Sequence, residues 1–256
     1  MVVIFYAPHS PVNPPQRFVD MYDPEELSLP EIGENEIIDS NLKDVTEEEW
    51  RKIKAYYLAL VSHIDDCVGQ IIDKLKEKDM FDNTIIVFTS DHGEYLGEHG
   101  RINKGMPGHD CITNMPFIIS YPEEISGGKE IEALVEGVDY VPTILDFCGI
   151  QTPSFVEGKS CKELLAGQKE EHKESVLIEH FSPAGNQQTT IKTRKYSYFC
   201  DAEGNEKLYD LKNDPKEFCD VSQEDEYKNI LADMRKKMIK RIQKAAYRSE
   251  KRDAPY

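Results

Sequence analysis

A long amphipathic segment that leads into a short apolar one is the feature that most constrains the fold. From Thr46 onward, apolar side chains recur at steps of three and four, which indicates a helix with one core-facing stripe. Thr46 and Glu49 have the spacing of a capping box, so we expect the helix to begin there and to end near "KEKDMFDN". The run "NTIIVFTS" that follows is typical of a buried strand. The stripe consists of Trp50, Ile53, Tyr57, Leu60, Ile64, Val68, Ile71 and Leu75.

Strand-like and helix-like segments alternate along the first part of the chain. Residues 2–6, "NTIIVFTS" and "MPFIISYP" are apolar on both faces, as strands inside a parallel sheet are, and "GVDYVPTILDFCG" is typical of a short helix. This alternation predicts an α/β domain over residues 1–156, with a mostly parallel sheet flanked by helices. Short strands and a terminal helix predict a small α+β subdomain over residues 157–256.

The charge balance disfavours two classes of partner. The chain has 48 acidic and 31 basic residues and a net charge of −17, whereas nucleic acids and anionic membranes are bound through Lys and Arg. The apolar run at the start is too short to cross a bilayer or to act as a usual signal sequence. The six cysteines lack CxxC spacing, which favours reduced thiols. We expect a cytoplasmic protein if Met1 is the true start, with a periplasmic or secreted protein as the alternatives for a longer form.

Polar residues suited to binding a cation and an anion follow the run "NTIIVFTS". Asp91 and His92 come at the carboxyl end of this predicted strand, where open α/β sheets carry their active sites. A carboxylate and an imidazole can hold a divalent cation together, although a turn with a capping aspartate and Gly93 explains the same residues. Lys104, in a glycine-rich loop, can return as a point charge for an anionic oxygen or remain exposed.

Two further histidines are candidates for contact with a substrate. His9, in "APHSP", follows the first predicted strand and can donate a proton to a leaving oxygen or remain a surface residue. His109 can face a substrate, with a role in loop hydrogen bonding as the alternative.

Six stretches follow one another in a specific order: "FYAPHSPVNPP", "YYLALVSHIDDCVGQIIDKL", "FDNTIIVFTSDHGEYLGEHG" with Lys104, "MPFIISYP", "GVDYVPTILDFCGI" and "KLYDLKNDPKE". This ordered set resembles the sulfatase family of the alkaline-phosphatase-like superfamily. The resemblance implies the fold of that superfamily and a sulfuric ester hydrolase that cleaves a sulfate monoester of a small molecule or glycan. It implies that Asp91 and His92 ligate Ca²⁺, with Mn²⁺ or another divalent ion as alternatives, that Lys104 contacts the sulfate and that His9 lies beside the leaving-group oxygen.

The chain departs from the family pattern at the nucleophile. Sulfatases form a formylglycine in the motif C/S-x-P-x-R, and the nearest candidate, at Ser28, has Ile32 in place of the arginine. The family's aspartate pair near the N-terminus is not found either. We therefore expect formylglycine only in an upstream segment, and we expect this chain to be the C-terminal portion of a longer sulfatase. Alone it should be a poor catalyst, and an exposed sheet edge should favour self-association.

Two alternatives stay open. The first is a phosphonate or phosphate monoester hydrolase of the same superfamily, because a metal, a lysine and a histidine can serve either anion. The second is a noncatalytic sulfatase-like chain that binds a ligand or a partner subunit.

Overall fold

The computed structural model describes residues 1–105, 107–181 and 187–246. Contacts divide the chain into two compact units: a first unit of Met1–Thr84 with Glu94–Asn103, and a second unit of Ile85–Gly93 with Lys104–Tyr256. The predicted domain boundary at residue 157 lies inside the second unit. A division of the chain at that residue stays a prediction. Residues 247–256, at the end of the predicted subdomain, lie outside the described part of the chain.

The first unit is built on a long helix. The chain forms α1 at Gln16–Val19, a 3-10 turn at Pro24–Glu26 and α2 at Glu47–Glu77. The predicted start of α2 is confirmed. The Glu49 N–H donates to the Thr46 hydroxyl at 3.3 Å, and the Glu49 carboxylate accepts from the Thr46 N–H at 2.8 Å.

The apolar stripe of α2 is only partly covered. Leu60 is 5% exposed, whereas Ile53 is 39% exposed, and the other stripe residues are half-buried. The best-covered part of α2 lies against α1 and the segment after it, where the Phe18 ring lies 5.0 Å from the His63 ring. Tyr22 and Ser62 share a hydrogen bond of 2.6 Å at the same contact.

Residues 2–6 do not form the strand that their sequence predicts. They are irregular, they pair with none of the described strands, and Val2 and Ile4 are 85% and 86% exposed. A strand exists only through backbone hydrogen bonds to a neighbour, which apolar sequence alone does not provide. His9 therefore follows an irregular segment rather than the end of a strand.

The second unit contains a pair of short strands, β1 at Ile86–Thr89 and β2 at Phe117–Ser120. They pair antiparallel, with Ile86 opposite Ser120, whereas the alternating pattern predicted parallel strands. A parallel pair needs a long crossover that is usually helical. Among the described residues between β1 and β2, however, the only elements are the 3-10 turn Glu98–Gly100 and a short helix, α3, at Asp110–Thr113. The mixed α/β class itself is confirmed, because helices and sheets follow one another along the chain.

Two short helices follow β2, α4 at Tyr140–Phe147 and α5 at Lys162–Leu165. Beside α5 lies a small core of Ala133, Cys161 and Leu164.

The last part of the second unit is a meander covered by a helix. The strands are β3 at Val176–Phe181, β4 at Gln187–Lys192, β5 at Tyr196–Asp201 and β6 at Glu206–Asp210, each antiparallel to the next. The long helix α6, Lys228–Ala246, packs its apolar side on this sheet, so the predicted α+β arrangement is confirmed. No helix among the described residues is long and apolar enough to span a bilayer. The core consists of Ile191, Tyr198, Leu208, Val221, Leu231, Met234 and Met238.

Candidate functional site

The loop after β1 brings Asp91 and His92 together within the second unit. The His92 N–H donates to Asp91 Oδ1 at 3.0 Å, and His92 Nε2 lies 3.6 Å from Asp91 Oδ2. The Asp91 side chain is 85% exposed and that of His92 29%. A carboxylate and a ring nitrogen therefore face the same accessible point.

The backbone sets the tautomer of His92. Its Nδ1 lies 2.7 Å from the Gly93 carbonyl oxygen, which can only accept a hydrogen bond, so Nδ1 carries the ring proton. The lone pair of the ring is then on Nε2, the nitrogen that faces Asp91. Lys104 Nζ donates to this Nε2 at 3.0 Å, so the lysine returns to the pair across its glycine-rich loop.

Gly93 is needed where this loop meets α3. Its N–H donates to the Ile112 carbonyl at 2.7 Å, and a Cβ on Gly93 would lie 2.0 Å from the Cys111 carbonyl oxygen. Only a glycine allows so close an approach of two backbones. The glycine that the sequence places after Asp91 and His92 thus anchors their turn.

The ionisation of Asp91 suits a cation. Partial burial by itself would raise the pKa of Asp91. The neighbouring His92, backbone N–H groups and the Ser90 hydroxyl outweigh it and lower that pKa below its ordinary value. The carboxylate is therefore charged at neutral pH.

The donor set fits a divalent cation in part. An exposed carboxylate and an imidazole nitrogen are both ligands for such ions, and a main-chain carbonyl holds the ring in place. In this structure the Nε2 lone pair accepts from Lys104 Nζ, so a cation would have to displace that hydrogen bond. Since Ca²⁺ takes about six to eight ligands, Asp91 and His92 would fill only part of its shell.

His109 lies in the second unit, but it is buried. The residue is 2% exposed and packs edge-on against Tyr209, with ring centroids 5.7 Å apart. Its carbonyl accepts hydrogen bonds from Ile112 and Thr113 at the start of α3. These surroundings favour the loop role, and contact between His109 and a substrate stays a prediction.

His9 belongs to the first unit, so it is not among the residues that the second unit gathers. Its ring lies 4.8 Å from that of Tyr6, and its Nδ1 is 2.9 Å from the Ser10 carbonyl oxygen. The imidazole is exposed, which leaves it accessible to a ligand.

A buried ion-pair network that supports α3 was not predicted from the sequence. Lys192 of β4 is 5% exposed and donates to Asp110 at 2.6 Å and to Glu217 at 3.1 Å. Glu217 also accepts from the Asp110 N–H at 2.8 Å. Lys192 and Asp110 are 82 positions apart, so no local pattern links them. The only sequence signal for this network is the stretch "KLYDLKNDPKE", which contains Glu217 and resembles the family.

Two protein-family models together match residues 1–244 of the chain. A family model described as Sulfatase matches residues 1–150, and one described as N-sulphoglucosamine sulphohydrolase, C-terminal, matches residues 97–244. An arylsulfatase of Clostridium perfringens is 32% identical over 253 residues, which are 93% of this chain and 52% of that protein.

Two solved structures illustrate the similarity of fold. The structure of BT4656 in complex with its substrate D-glucosamine-2-N,6-O-disulfate has a TM-score of 0.74 at 27% identity, and the match covers 81% of this chain and 45% of that one. The phosphonate monoester hydrolase of Silicibacter pomeroyi has a TM-score of 0.83 at 25% identity, with 93% and 54% covered. The chain thus spans about half the length of the relatives that it matches.

Proposed function

Since the chain belongs to the sulfatase family, we propose that it contributes the cation-binding and sulfate-binding side of a site that hydrolyses a sulfate monoester. The observation that carries the proposal is the convergence of the Asp91 carboxylate, His92 Nε2 and Lys104 Nζ at the end of β1. The site combines a place for a divalent cation with a fixed ammonium group.

The proposed roles follow from charge. Asp91 and His92 hold the ion, Ca²⁺ by preference and Mn²⁺ or another divalent ion as alternatives. When bound, the ion supplies Lewis-acid stabilisation of the negative charge on the sulfate oxygens. Lys104 donates to the same oxygens, and its charge offsets theirs as the S–O bond breaks. With the Nε2 lone pair given to a cation, all three Lys104 protons are available to the anion.

His9 is proposed to donate a proton to the leaving alcohol oxygen, as an accessible imidazole can. His109 is proposed to support the sulfate side from its buried position next to α3. The nucleophile is proposed to come from outside these 256 residues, because the sequence has no C/S-x-P-x-R motif.

The substrate class is a sulfate ester of a small molecule or a glycan. Support comes from BT4656, which was solved with a sulfated glucosamine substrate. The Silicibacter pomeroyi neighbour supports the alternative of a phosphonate monoester, because the same charges can hold either anion. Turnover of aryl sulfate and aryl phosphonate by the native protein, with its intact mass and a peptide map, distinguishes the two substrates and identifies any formylglycine.

The cation and anion sites can be tested on this chain by calorimetry. Asp91→Asn should weaken Ca²⁺ binding, and Lys104→Ala should weaken binding of an aryl sulfate in Ca²⁺ by about 10-fold or more, since a hydrogen bond to a charged group contributes about 1.5–3 kcal/mol. The control is Lys212→Ala, which removes an exposed lysine of the second unit. Equal aryl sulfate affinity in the Lys104 and Lys212 variants would contradict the assignment of Lys104.

Self-association is proposed from exposed apolar side chains next to open strand edges. Phe88 on β1 is 36% exposed and Ile118 on β2 59% exposed, and among the described residues neither strand has a second partner. Open edges template pairing with another chain. Sedimentation velocity over a range of concentrations should show species larger than one chain. A monomer at all concentrations would rule this out.

A further inference from the structure

Three chemically active side chains meet in the second unit outside the proposed sulfate site. Cys161 Sγ lies 3.5 Å from His172 Nε2, and the same Nε2 lies 3.3 Å from Asp139 Oδ2. Asp139 is fully buried, Cys161 is 2% exposed and the His172 side chain 3% exposed. A thiol, an imidazole and a carboxylate thus share one enclosed point, with their ligand atoms all within 4.8 Å of one another.

Hydrogen bonds from neighbouring groups fix the orientation of the Asp139 carboxylate. Asp139 Oδ1 accepts from the Lys159 N–H at 2.8 Å and from Lys173 Nζ at 2.6 Å. Oδ2 accepts from the Glu136 N–H at 2.9 Å. Lys173 therefore offsets the negative charge on Asp139 Oδ1, the oxygen that does not face His172. Asp139 Oδ2 keeps a lone pair directed toward the His172 ring.

The backbone of Cys161 is also held in place by its neighbours. The Cys161 N–H donates to the Thr143 hydroxyl at 2.9 Å, which fixes the start of α5 against α4. Gly158 lets the same segment pass close to the turn before α4, because a Cβ there would lie 1.9 Å from the Val138 carbonyl oxygen. Backbone packing, not the thiol itself, brings Sγ to the ring.

The arrangement does not suit a cysteine nucleophile. In a catalytic triad the nucleophile and the orienting carboxylate use different nitrogens of the histidine, whereas Sγ and Oδ2 here face the same Nε2. One nitrogen facing both a sulfur and an oxygen is instead the pattern around a shared cation.

We propose that Asp139, Cys161 and His172 form a binding site for Zn²⁺ or a transition-metal ion of similar size. Tetrahedral zinc with bonds of about 2.3 Å to sulfur and about 2.0–2.1 Å to nitrogen and oxygen has edges of about 3.5 Å from S to N and about 3.3 Å from N to O. The observed 3.5 and 3.3 Å agree with both edges.

The donor set determines which ion is preferred. Thiolate and imidazole select zinc-like ions over Ca²⁺, so this site and the one at Asp91 and His92 take different metals. On coordination the Cys161 S–H bond breaks, the sulfur keeps the electron pair for the metal and the proton passes to solvent. His172 binds as the neutral ring through Nε2 with its proton on Nδ1. Water or the Lys159 carbonyl, whose oxygen is 3.9 Å from Sγ, completes the tetrahedron.

Co²⁺ is the probe for the test, because it replaces zinc and its thiolate charge-transfer absorption reports sulfur ligation directly. Metal-free chain titrated with Co²⁺ under reducing conditions should take up one equivalent with this absorption and with the visible bands of tetrahedral cobalt. Added Zn²⁺ should abolish both. Asp91→Asn should leave the spectrum unchanged, which separates the cluster from the proposed sulfate site.

Cys161→Ser should lose the thiolate absorption, and His172→Gln should weaken cobalt binding by more than the about 10–100-fold that loss of an outer-shell partner costs. The matched control is Cys200→Ser, which removes a half-buried thiol of β5 and should retain the spectrum. Circular dichroism verifies that each variant is folded. The proposal is overturned if the folded wild-type chain shows no thiolate absorption, or if Cys161→Ser retains it.

Discussion

Replacing Lys192 by methionine tests the network that holds α3 to β4. The change keeps most of the side-chain volume and removes the charge that faces Asp110 and Glu217. The two carboxylates are not equal, since the Asp110 side chain is 50% exposed and that of Glu217 1% exposed. Water can solvate Asp110 once the lysine is gone, but Glu217 would remain as a buried charge without its cation.

The expected loss is therefore set by Glu217. Removal of one partner of a buried pair typically costs about 3–5 kcal/mol, whereas exposed pairs contribute about 0–1 kcal/mol. We expect Lys192→Met to lower the free energy of unfolding by about 3–5 kcal/mol. Adding Glu217→Gln should restore a large part of this, because a neutral amide can still accept from the Asp110 N–H.

Urea unfolding followed by circular dichroism measures both values, and a double-mutant cycle isolates the coupling between Lys192 and Glu217. Lys212→Met, on the surface of the same unit, is the control and should change stability by no more than about 0.5 kcal/mol. A loss below about 1 kcal/mol in Lys192→Met, or no recovery on adding Glu217→Gln, would refute the reasoning.

Three further predictions concern single contacts. Gly93→Ala should destabilise the chain by about 1–3 kcal/mol in thermal unfolding, because its Cβ would lie 2.0 Å from the Cys111 carbonyl oxygen; an unchanged midpoint would contradict this. Thr46→Ala should cost about 1 kcal/mol in urea unfolding through loss of the α2 cap, whereas Thr46→Ser should cost little. The Arg235 guanidinium lowers the pKa of Glu206 against partial burial, so the stability advantage of wild type over Glu206→Gln should be complete above the ordinary glutamate pKa and should disappear as pH falls through the lowered value. Urea unfolding of wild type and Glu206→Gln at several acid pH values tests this dependence. A difference in free energy of unfolding that stays constant across those pH values would contradict it.

Local signals allowed the best predictions from sequence. The capping box and apolar repeat of α2 act within a few positions, so the start of the helix could be read from Thr46 and Glu49. The turn of Asp91, His92 and Gly93 is equally local, and its place at the end of β1 was predicted with it.

Features that depend on distant partners could not be read in the same way. Residues 2–6 have the composition of a strand but no described neighbour to pair with, and the antiparallel register of β1 and β2 depends on a connection without a crossover helix. The burial of His109 and the Lys192 network arise only when β4 and α3 meet. The approach of Cys161 to His172 likewise depends on the packing of α4 and α5, and no sequence motif predicts it.

The hydrogen bond from His92 Nδ1 to the Gly93 carbonyl has a consequence for engineering this site. A ring oriented by a side chain can be switched to its other tautomer by replacing that side chain, but a main-chain oxygen is common to every residue type. Substitutions around the loop can change the charge and the space near Nε2, but they leave the tautomer of His92 as it is. A ring that presents the lone pair on Nδ1 instead of Nε2 would require rebuilding the turn that presents the Gly93 carbonyl.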